Sequence, residues 1–279
     1  MPQPIHEFGG SGPIMHLAVA NGFPVETYRP LLRPFMESFR VLSLPPRALW
    51  PNEKPPATHP DWSQTLAVDL LNGLRENAFE DVIAVGHSFG GIASILAILE
   101  EPQRFRALIL LDPTIMVRPL LQAIDEAREN NALEHMPLSS RALKRRREFD
   151  DAAAAYAYFK EKPLFADWDD EALRLYAEHG TQPTETGVTW RWSPEWEAFY
   201  FRTIYTGIWE DLPELKDKLP ILAIQGQNTD TFVDESANEV RDILPDMRFV
   251  QMPGHGHLFP QSNPGGAARM MRDFINDLD

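Results

Sequence analysis

Short apolar runs recur along the chain at intervals that predict a buried sheet. They are rich in Val, Ile and Leu, and longer segments with helical spacing separate them. The runs are Met15–Ala20, Val41–Leu44, Val82–Val85, Ala107–Leu111, Ile221–Gln225 and Arg248–Met252. Continuous apolar runs of this length are typical of parallel strands covered on both faces. Their alternation with helices predicts an α/β fold, with one mostly parallel, twisted sheet and helices on both faces.

The segments between these runs carry apolar residues at intervals of three and four. This spacing predicts helices at Thr27–Phe39, Ser63–Asn77, Gly91–Glu100, Glu235–Leu244 and Ala267–Leu278.

The strand pattern stops between Leu111 and Ile221 and then resumes. Helices alone are predicted there, at Pro119–Asn130, Ser139–Lys160, Asp169–His179 and Pro194–Trp209. Because the strands resume afterwards, we expect a helical insertion at residues 114–212. Residues 1–113 and 213–279 then form the core that carries the sheet.

Charge and composition exclude several classes of protein. The net charge of −15 disfavours binding to nucleic acid or to anionic membranes, since both need basic surfaces. The absence of cysteine excludes disulfides, thiolate metal sites and a cysteine nucleophile. The one dense basic run, Lys144–Arg147, is interpreted as a solvated helix face.

Neither a signal-peptide pattern nor an apolar run of about 18 residues is visible. We therefore expect a cytoplasmic protein that acts on a small molecule, with no membrane partner. The sequence does not indicate an oligomeric state.

A serine stands at the sharpest turn that the pattern predicts. Gly86-His87-Ser88-Phe89-Gly90 has the form G-x-S-x-G, with a buried strand before it and an apolar helix after it. Such a turn strains the serine backbone, exposes its hydroxyl at the carboxyl end of the sheet, and needs the flanking glycines because a Cβ would collide with neighbouring elements. Ser88 is the candidate nucleophile.

A serine hydroxyl needs a base to become nucleophilic. His257 lies in a glycine-rich loop after the last strand, so the chain order is serine, acid, histidine. His255 is its nearest competitor, and His87 is expected to point away from Ser88.

Two aspartates could orient the histidine. Asp230 follows the fifth apolar run and Asp112 follows the fourth. We favour Asp230, because its loop lies beside the histidine loop. Asp112 stays as the alternative, although an aspartate before a proline is also an ordinary turn former.

The turn Asn21-Gly22-Phe23-Pro24 follows the first run. Gly22 permits a close backbone approach, and the amide of Phe23 is expected to be free to point inward. With the amide of Phe89, which opens a helix, it would form an oxyanion hole.

Together these motifs resemble the α/β-hydrolase superfamily. GHSFGG is similar to its nucleophile elbow, NGFP to its oxyanion loop and GHLFP to its histidine loop, and the insertion stands where the superfamily carries its lid. Two departures are visible: Asn21 replaces the usual histidine, and GQNTD places its aspartate one residue later than the commoner G-x-x-D.

The resemblance implies cofactor-free hydrolysis of an ester or related acyl bond through an acyl-enzyme. No metal is expected, because His255-x-His257 lacks the i, i+4 spacing of a helical zinc site and no third ligand is evident. Two alternatives stay open: a perhydrolase or acyltransferase with the same triad, and a non-catalytic binding protein on the same fold.

The end of the insertion is rich in aromatic residues. We expect some of them to line the substrate site, together with Asn21, and the substrate to be apolar. The candidates are Trp192, Trp196, Phe199 and Trp209.

Overall fold

The computed structural model describes residues 3–278. Ten strands lie within them: β1 His6–Gly9, β2 Ile14–Ala18, β3 Arg40–Ser43, β4 Val82–His87, β5 Phe105–Leu111, β6 Glu148–Phe149, β7 Thr181–Pro183, β8 Val188–Trp190, β9 Ile221–Gly226 and β10 Arg248–Met252. Twelve α-helical segments accompany them: α1 Arg29–Leu32, α2 Val68–Glu76, α3 Phe89–Glu100, α4 Arg118–Glu129, α5 Pro137–Leu143, α6 Ala152–Lys160, α7 Asp170–Gly180, α8 Pro194–Arg202, α9 Ile208–Asp211, α10 Asp234–Ile243, α11 Phe259–Ser262 and α12 Pro264–Asn276.

Seven strands form the main sheet in the order β1-β3-β2-β4-β5-β9-β10. Only β1 is antiparallel to its neighbour, and the other pairs are parallel. The central strands β4 and β9 are buried along their whole length. The predicted α/β fold with a mostly parallel sheet is therefore confirmed. Sequence analysis missed β1, whose residues HEFG form no apolar run.

The predicted helix Thr27–Phe39 is wrong as a single element. The chain there forms α1 between two short 3-10 turns, Val25–Tyr28 and Arg33–Phe35. Prolines at 30 and 34 interrupt the segment, and each removes a backbone donor.

The segment between β5 and β9 also contains strands, contrary to expectation. β6, β8 and β7 form a three-stranded antiparallel sheet. Each has two or three residues, too few for an alternating pattern to show. β6 also divides the predicted helix Ser139–Lys160 into α5 and α6.

The segment has two packing regions. Phe159, Tyr176 and Trp190 belong to a separate apolar cluster, whereas Trp192 and the helices after it pack into the core around the main sheet. The division into a unit at 114–212 and a core of 1–113 and 213–279 stays a prediction.

Among residues 3–278, no helix combines the length and the apolar character that crossing a bilayer requires.

The loop after β10 crosses the end of β9 at close range. A Cβ on Gly226 would lie 2.5 Å from the carbonyl oxygen of Gly256, and the amide of Asn228 donates to the carbonyl of His255 at 2.9 Å. The missing side chain at Gly226 thus lets the loop return toward β4.

Gly226→Ala should lower the free energy of unfolding by roughly 1–3 kcal/mol, because the added methyl meets fixed backbone. Gly265→Ala is the matched control: it lies in α12, and the atom nearest to its added Cβ is an Arg269 side-chain nitrogen at 3.7 Å. The control should be neutral or more stable by up to about 1 kcal/mol. Urea unfolding of both variants measures the difference, and equal stabilities would contradict the close approach.

Candidate active site

Ser88 occupies the turn between β4 and α3 in a strained conformation, with φ +57° and ψ −125°. Positive φ is rare for residues other than glycine. A Cβ on Gly86 would lie 2.6 Å from the carbonyl oxygen of Gly90, and one on Gly90 would lie 2.3 Å from that of Ala18. The two glycines are therefore needed for the turn, as the sequence analysis expected.

Ser88, His257 and Asp112 form a chain of hydrogen bonds. Ser88 Oγ lies 3.0 Å from His257 Nε2, and His257 Nδ1 lies 2.7 Å from Asp112 Oδ2. A carboxylate can only accept, so Nδ1 donates to Asp112 and Nε2 is left to accept the Ser88 hydroxyl proton. This tautomer suits a general base. Ser88 Oγ is also 3.0 Å from Thr114 Oγ1, a contact that sequence analysis missed.

Asp112 is fully buried, at 0% exposure, and its charge is held by hydrogen bonds from three elements. Oδ1 accepts from the amide of Gly226 at 2.7 Å. Oδ2 accepts from the hydroxyl of Thr229 at 2.6 Å, besides His257. These donors compensate for the removal of the carboxylate from water.

The expected contact between Asp230 and His257 is wrong. Asp230 is exposed at the wall of the cavity, where its carboxylate accepts from Thr231 Oγ1 at 3.2 Å. The chain turns after β9, so the G-x-x-D position is Thr229 and its hydroxyl faces Asp112 instead. The late aspartate in GQNTD was the sequence signal for this arrangement.

The other two histidines near the turn have different roles. His255 Nδ1 lies 2.8 Å from Ser262 Oγ, away from Ser88. His87 is buried beneath the site, and burial, followed by the field of His257, holds its pKa well below the ordinary value. The lowered pKa favours the neutral form of His87.

Neutral His87 links two loops of the site. Tyr28 accepts from the amide of Ala20 at 3.0 Å and donates to His87 Nδ1 at 2.7 Å. With Nδ1 accepting, Nε2 carries the proton and donates to the carbonyl of His257 at 3.0 Å. The oxyanion loop and the histidine loop are thus joined through one buried network.

The turn after β2 differs in one respect from the expectation. Gly22 has a φ of +85°, which a turn of this kind requires. The amide of Phe23 is not free, because it donates across the turn to the carbonyl of Ala20 at 3.2 Å. The amide of Phe89 is at the first position of α3, where no acceptor within the helix exists.

A cavity of about 870 Å³ opens above Ser88 and His257. Asn21 lines it, and its side-chain amide donates to the carbonyl of Glu197 at 3.1 Å. Aromatic residues contribute much of the apolar wall: Phe23, Trp62, Phe89, Tyr158, Phe159, Phe165, Tyr176, Trp190 and Phe201.

The four aromatic residues expected to bind substrate do not line this cavity. Trp192, Trp196, Phe199 and Trp209 are at most 3% exposed and pack in the main core. Trp196 and Phe199 belong to α8, Trp209 belongs to α9, and Trp192 precedes α8. Helical spacing alone does not distinguish a side chain that packs in the core from one that lines a cavity.

Sequence and structure comparisons agree with this fold and geometry. Residues 12–269 match the sequence profile of the Alpha/beta hydrolase family. The chain belongs to this family. It is 24% identical over 272 residues to 2-(acetamidomethylene)succinate hydrolase of Mesorhizobium japonicum, covering 96% of this chain and 89% of that protein.

Solved structures show the same fold. E-2-(acetamidomethylene)succinate hydrolase superposes with a TM-score of 0.81 at 22% identity, over 98% of this chain and 94% of that one. N-formylmaleamic acid deformylase of Pseudomonas putida S16 superposes with a TM-score of 0.63 at 19% identity, over 99% and 95% of the two chains.

Tyr28→Phe should lower the free energy of unfolding by roughly 1–3 kcal/mol, because the buried amide of Ala20 and the ring of His87 lose their partner. Tyr156→Phe is the control, since that hydroxyl is on the surface beside Asp170, and it should change stability by less than about 0.5 kcal/mol. Urea midpoints compare the two. Equal effects would show that the Tyr28 network does not stabilise the loops.

Proposed function

We propose that this protein is a serine hydrolase that cleaves an acyl bond of a small substrate through an acyl-enzyme. The observation that carries the proposal is the chain from Ser88 through His257 to buried Asp112, at 3.0 and 2.7 Å. The three groups have the order and tautomer that general-base activation of a serine requires.

In the proposed mechanism, Ser88 Oγ attacks the substrate carbonyl while His257 Nε2 takes the hydroxyl proton. Asp112 orients the imidazole and stabilises its cation. His257 then gives the proton to the leaving group. In the second half of the reaction, His257 takes a proton from a water molecule, the water attacks the acyl carbon, and the proton passes to Ser88 Oγ as the acyl group leaves.

The amide of Phe89 is the leading oxyanion donor, because it opens α3 directly after the nucleophile. The amide of Phe23 already donates at 3.2 Å. The amide of Phe23 can therefore donate to a substrate oxygen only through a bifurcated hydrogen bond, with the carbonyl of Ala20 as the second acceptor.

The bond cleaved is an ester or an amide. The motifs favour carboxylester chemistry by resemblance, while the names of two relatives, an acetamidomethylene compound and N-formylmaleamic acid, describe amides. We therefore extend the proposed substrates from esters to amides. An assay on matched ester and amide pairs separates the two.

A non-catalytic binding protein is disfavoured. Such a protein has no need of a strained serine at φ +57° or of a buried carboxylate aimed at a histidine. Strain of this kind is retained where the chemistry depends on it.

Ser88→Ala should reduce kcat by on the order of 10⁴-fold or more and leave the fold intact, because the hydroxyl contributes little packing. A panel of 4-nitrophenyl esters and anilides provides the rates, and a fluorophosphonate probe should label the native protein but not the variant. Near-normal rates in the variant would exclude Ser88 as the nucleophile.

Asp112→Asn should cost around 10⁴-fold in kcat, since the imidazole loses the acceptor that fixes its tautomer. Asp230→Asn, measured in parallel, is the matched control. Its carboxylate is exposed and contacts only Thr231 among the hydrogen bonds of the described residues, so little change is expected. The reverse ranking of the two variants would restore Asp230 as the acid.

A further inference from the structure

We propose that the cavity binds a carboxylate-bearing acyl substrate, with its anionic group held by Arg141, Lys144 and Lys162. The inference rests on the proposed function and adds a substrate class to it. It starts from the charge of the cavity wall, which is opposite in sign to that of the chain.

Five cationic side chains line the cavity, against two carboxylates. The whole chain has a net charge of −15. Arg141, Lys144 and Arg146 are exposed residues of this wall, and Lys162 is half-buried. Positive charge grouped around a cavity attracts anions.

One cation and one carboxylate of the wall neutralise each other. Arg145 forms an ion pair with Glu197, donates to the Tyr176 hydroxyl at 2.8 Å and stacks on the Trp190 ring at 4.1 Å. This arrangement is structural, because both terminal nitrogens of the guanidinium and one of its faces are already engaged.

The remaining cations of the wall have no carboxylate within ion-pair distance among the described residues. Arg146 donates to the carbonyl of Glu148 at 2.9 Å and stacks on Phe149. The amine of Lys162 lies 4.2 Å from the centre of the Tyr158 ring. The side chains of Arg141 and Lys144 form no hydrogen bond and no ion pair with the described residues 3–278.

The basic run itself shows a contrast. Arg147, which does not line the cavity, forms an ion pair with Glu195 at 2.7 Å. Lys144 and Arg146, which line it, have no such partner. The run follows the end of α5 at Leu143, so the expected helix is wrong, whereas Lys144 and Arg146 are exposed as expected.

Unpaired like charges in this spacing carry a cost. Arg141 lies in the last turn of α5 and Lys144 caps that helix three residues later, so these two unpaired cations repel each other. An anion between them removes the repulsion. An arginine fork and ammonium groups form charge-assisted hydrogen bonds with a carboxylate.

The position suits a substrate that spans the cavity. Ser88 and His257 line the same 870 Å³ space as Arg141, Lys144 and Lys162, a size typical of small-molecule sites. The acyl carbon would meet Ser88 while the carboxylate meets the cations. The proposal adds an anionic group to the expected apolar substrate, whose apolar part would meet the aromatic wall.

The test uses two probes that share one acyl chain and leaving group: mono-4-nitrophenyl adipate, which is anionic, and its methyl ester, which is neutral. The native protein should favour the anionic probe in kcat/KM. In the double variant Arg141→Gln/Lys144→Gln, kcat/KM for the anionic probe should fall roughly 10- to 100-fold, as expected for lost charge-assisted hydrogen bonds. The rate on the methyl ester should be unchanged, which shows that the fold and triad are intact.

Arg147→Gln is the matched control from the same run and should leave the ratio of the two rates unchanged. Raising the sodium chloride concentration should reduce the preference for the anionic probe.

A binding measurement that needs no turnover separates this inference from the proposed function. Calorimetry with Ser88→Ala should detect adipate and not dimethyl adipate, and the signal should be lost when Arg141→Gln/Lys144→Gln is added. No preference for the anionic probe and no adipate binding would overturn the carboxylate site while leaving the serine mechanism intact. Full activity of Ser88→Ala with intact adipate binding would exclude the serine mechanism and leave the carboxylate site intact.

Discussion

The buried carboxylate of Asp112 is the constraint on which the rest of the site depends. It is fully buried, so its charge is tolerated only while donors surround it. Those donors come from the end of β9, from the following turn at Thr229 and from the histidine loop after β10. Satisfying this one charge therefore fixes three segments relative to β5, and the imidazole of His257 is placed over Ser88 as a consequence.

Two close backbone approaches make that arrangement possible. Gly86 and Gly90 let the nucleophile turn pack between β2 and α3, while Gly226 lets the histidine loop cross β9. The buried histidine at 87 then joins the crossing loop to the oxyanion loop through Tyr28. Strain in the Ser88 backbone is thus balanced by hydrogen bonds on both sides of the turn, as expected for a preorganised site.

The parts of the site that sequence could predict are those set by local rules. The turn at Ser88 follows from flanking glycines between a strand and a helix, and the sheet follows from apolar runs. The choice of Asp112 over Asp230 depends on how the chain turns after β9, and the one local sign of that turn is the aspartate of GQNTD, which comes one residue later than in G-x-x-D. The aromatic residues fail for a similar reason: Trp196 and Phe199 have helical spacing, and only the tertiary packing decides that they face the core.

The basic run Lys144–Arg147 shows that local sequence patterns also fail to predict which charged side chains line a binding cavity. A sequence in which acids outnumber bases disfavours anionic ligands on average, yet an average says nothing about a cavity. Folding places Lys144 and Arg146 beside the site and turns Arg147 outward to Glu195. Cations grouped at the cavity wall attract an anion there, whatever the sign of the net charge of the chain. The proposed substrate is therefore an anion whose carboxylate contacts the cations of the cavity wall while its acyl carbon lies at the Ser88 hydroxyl.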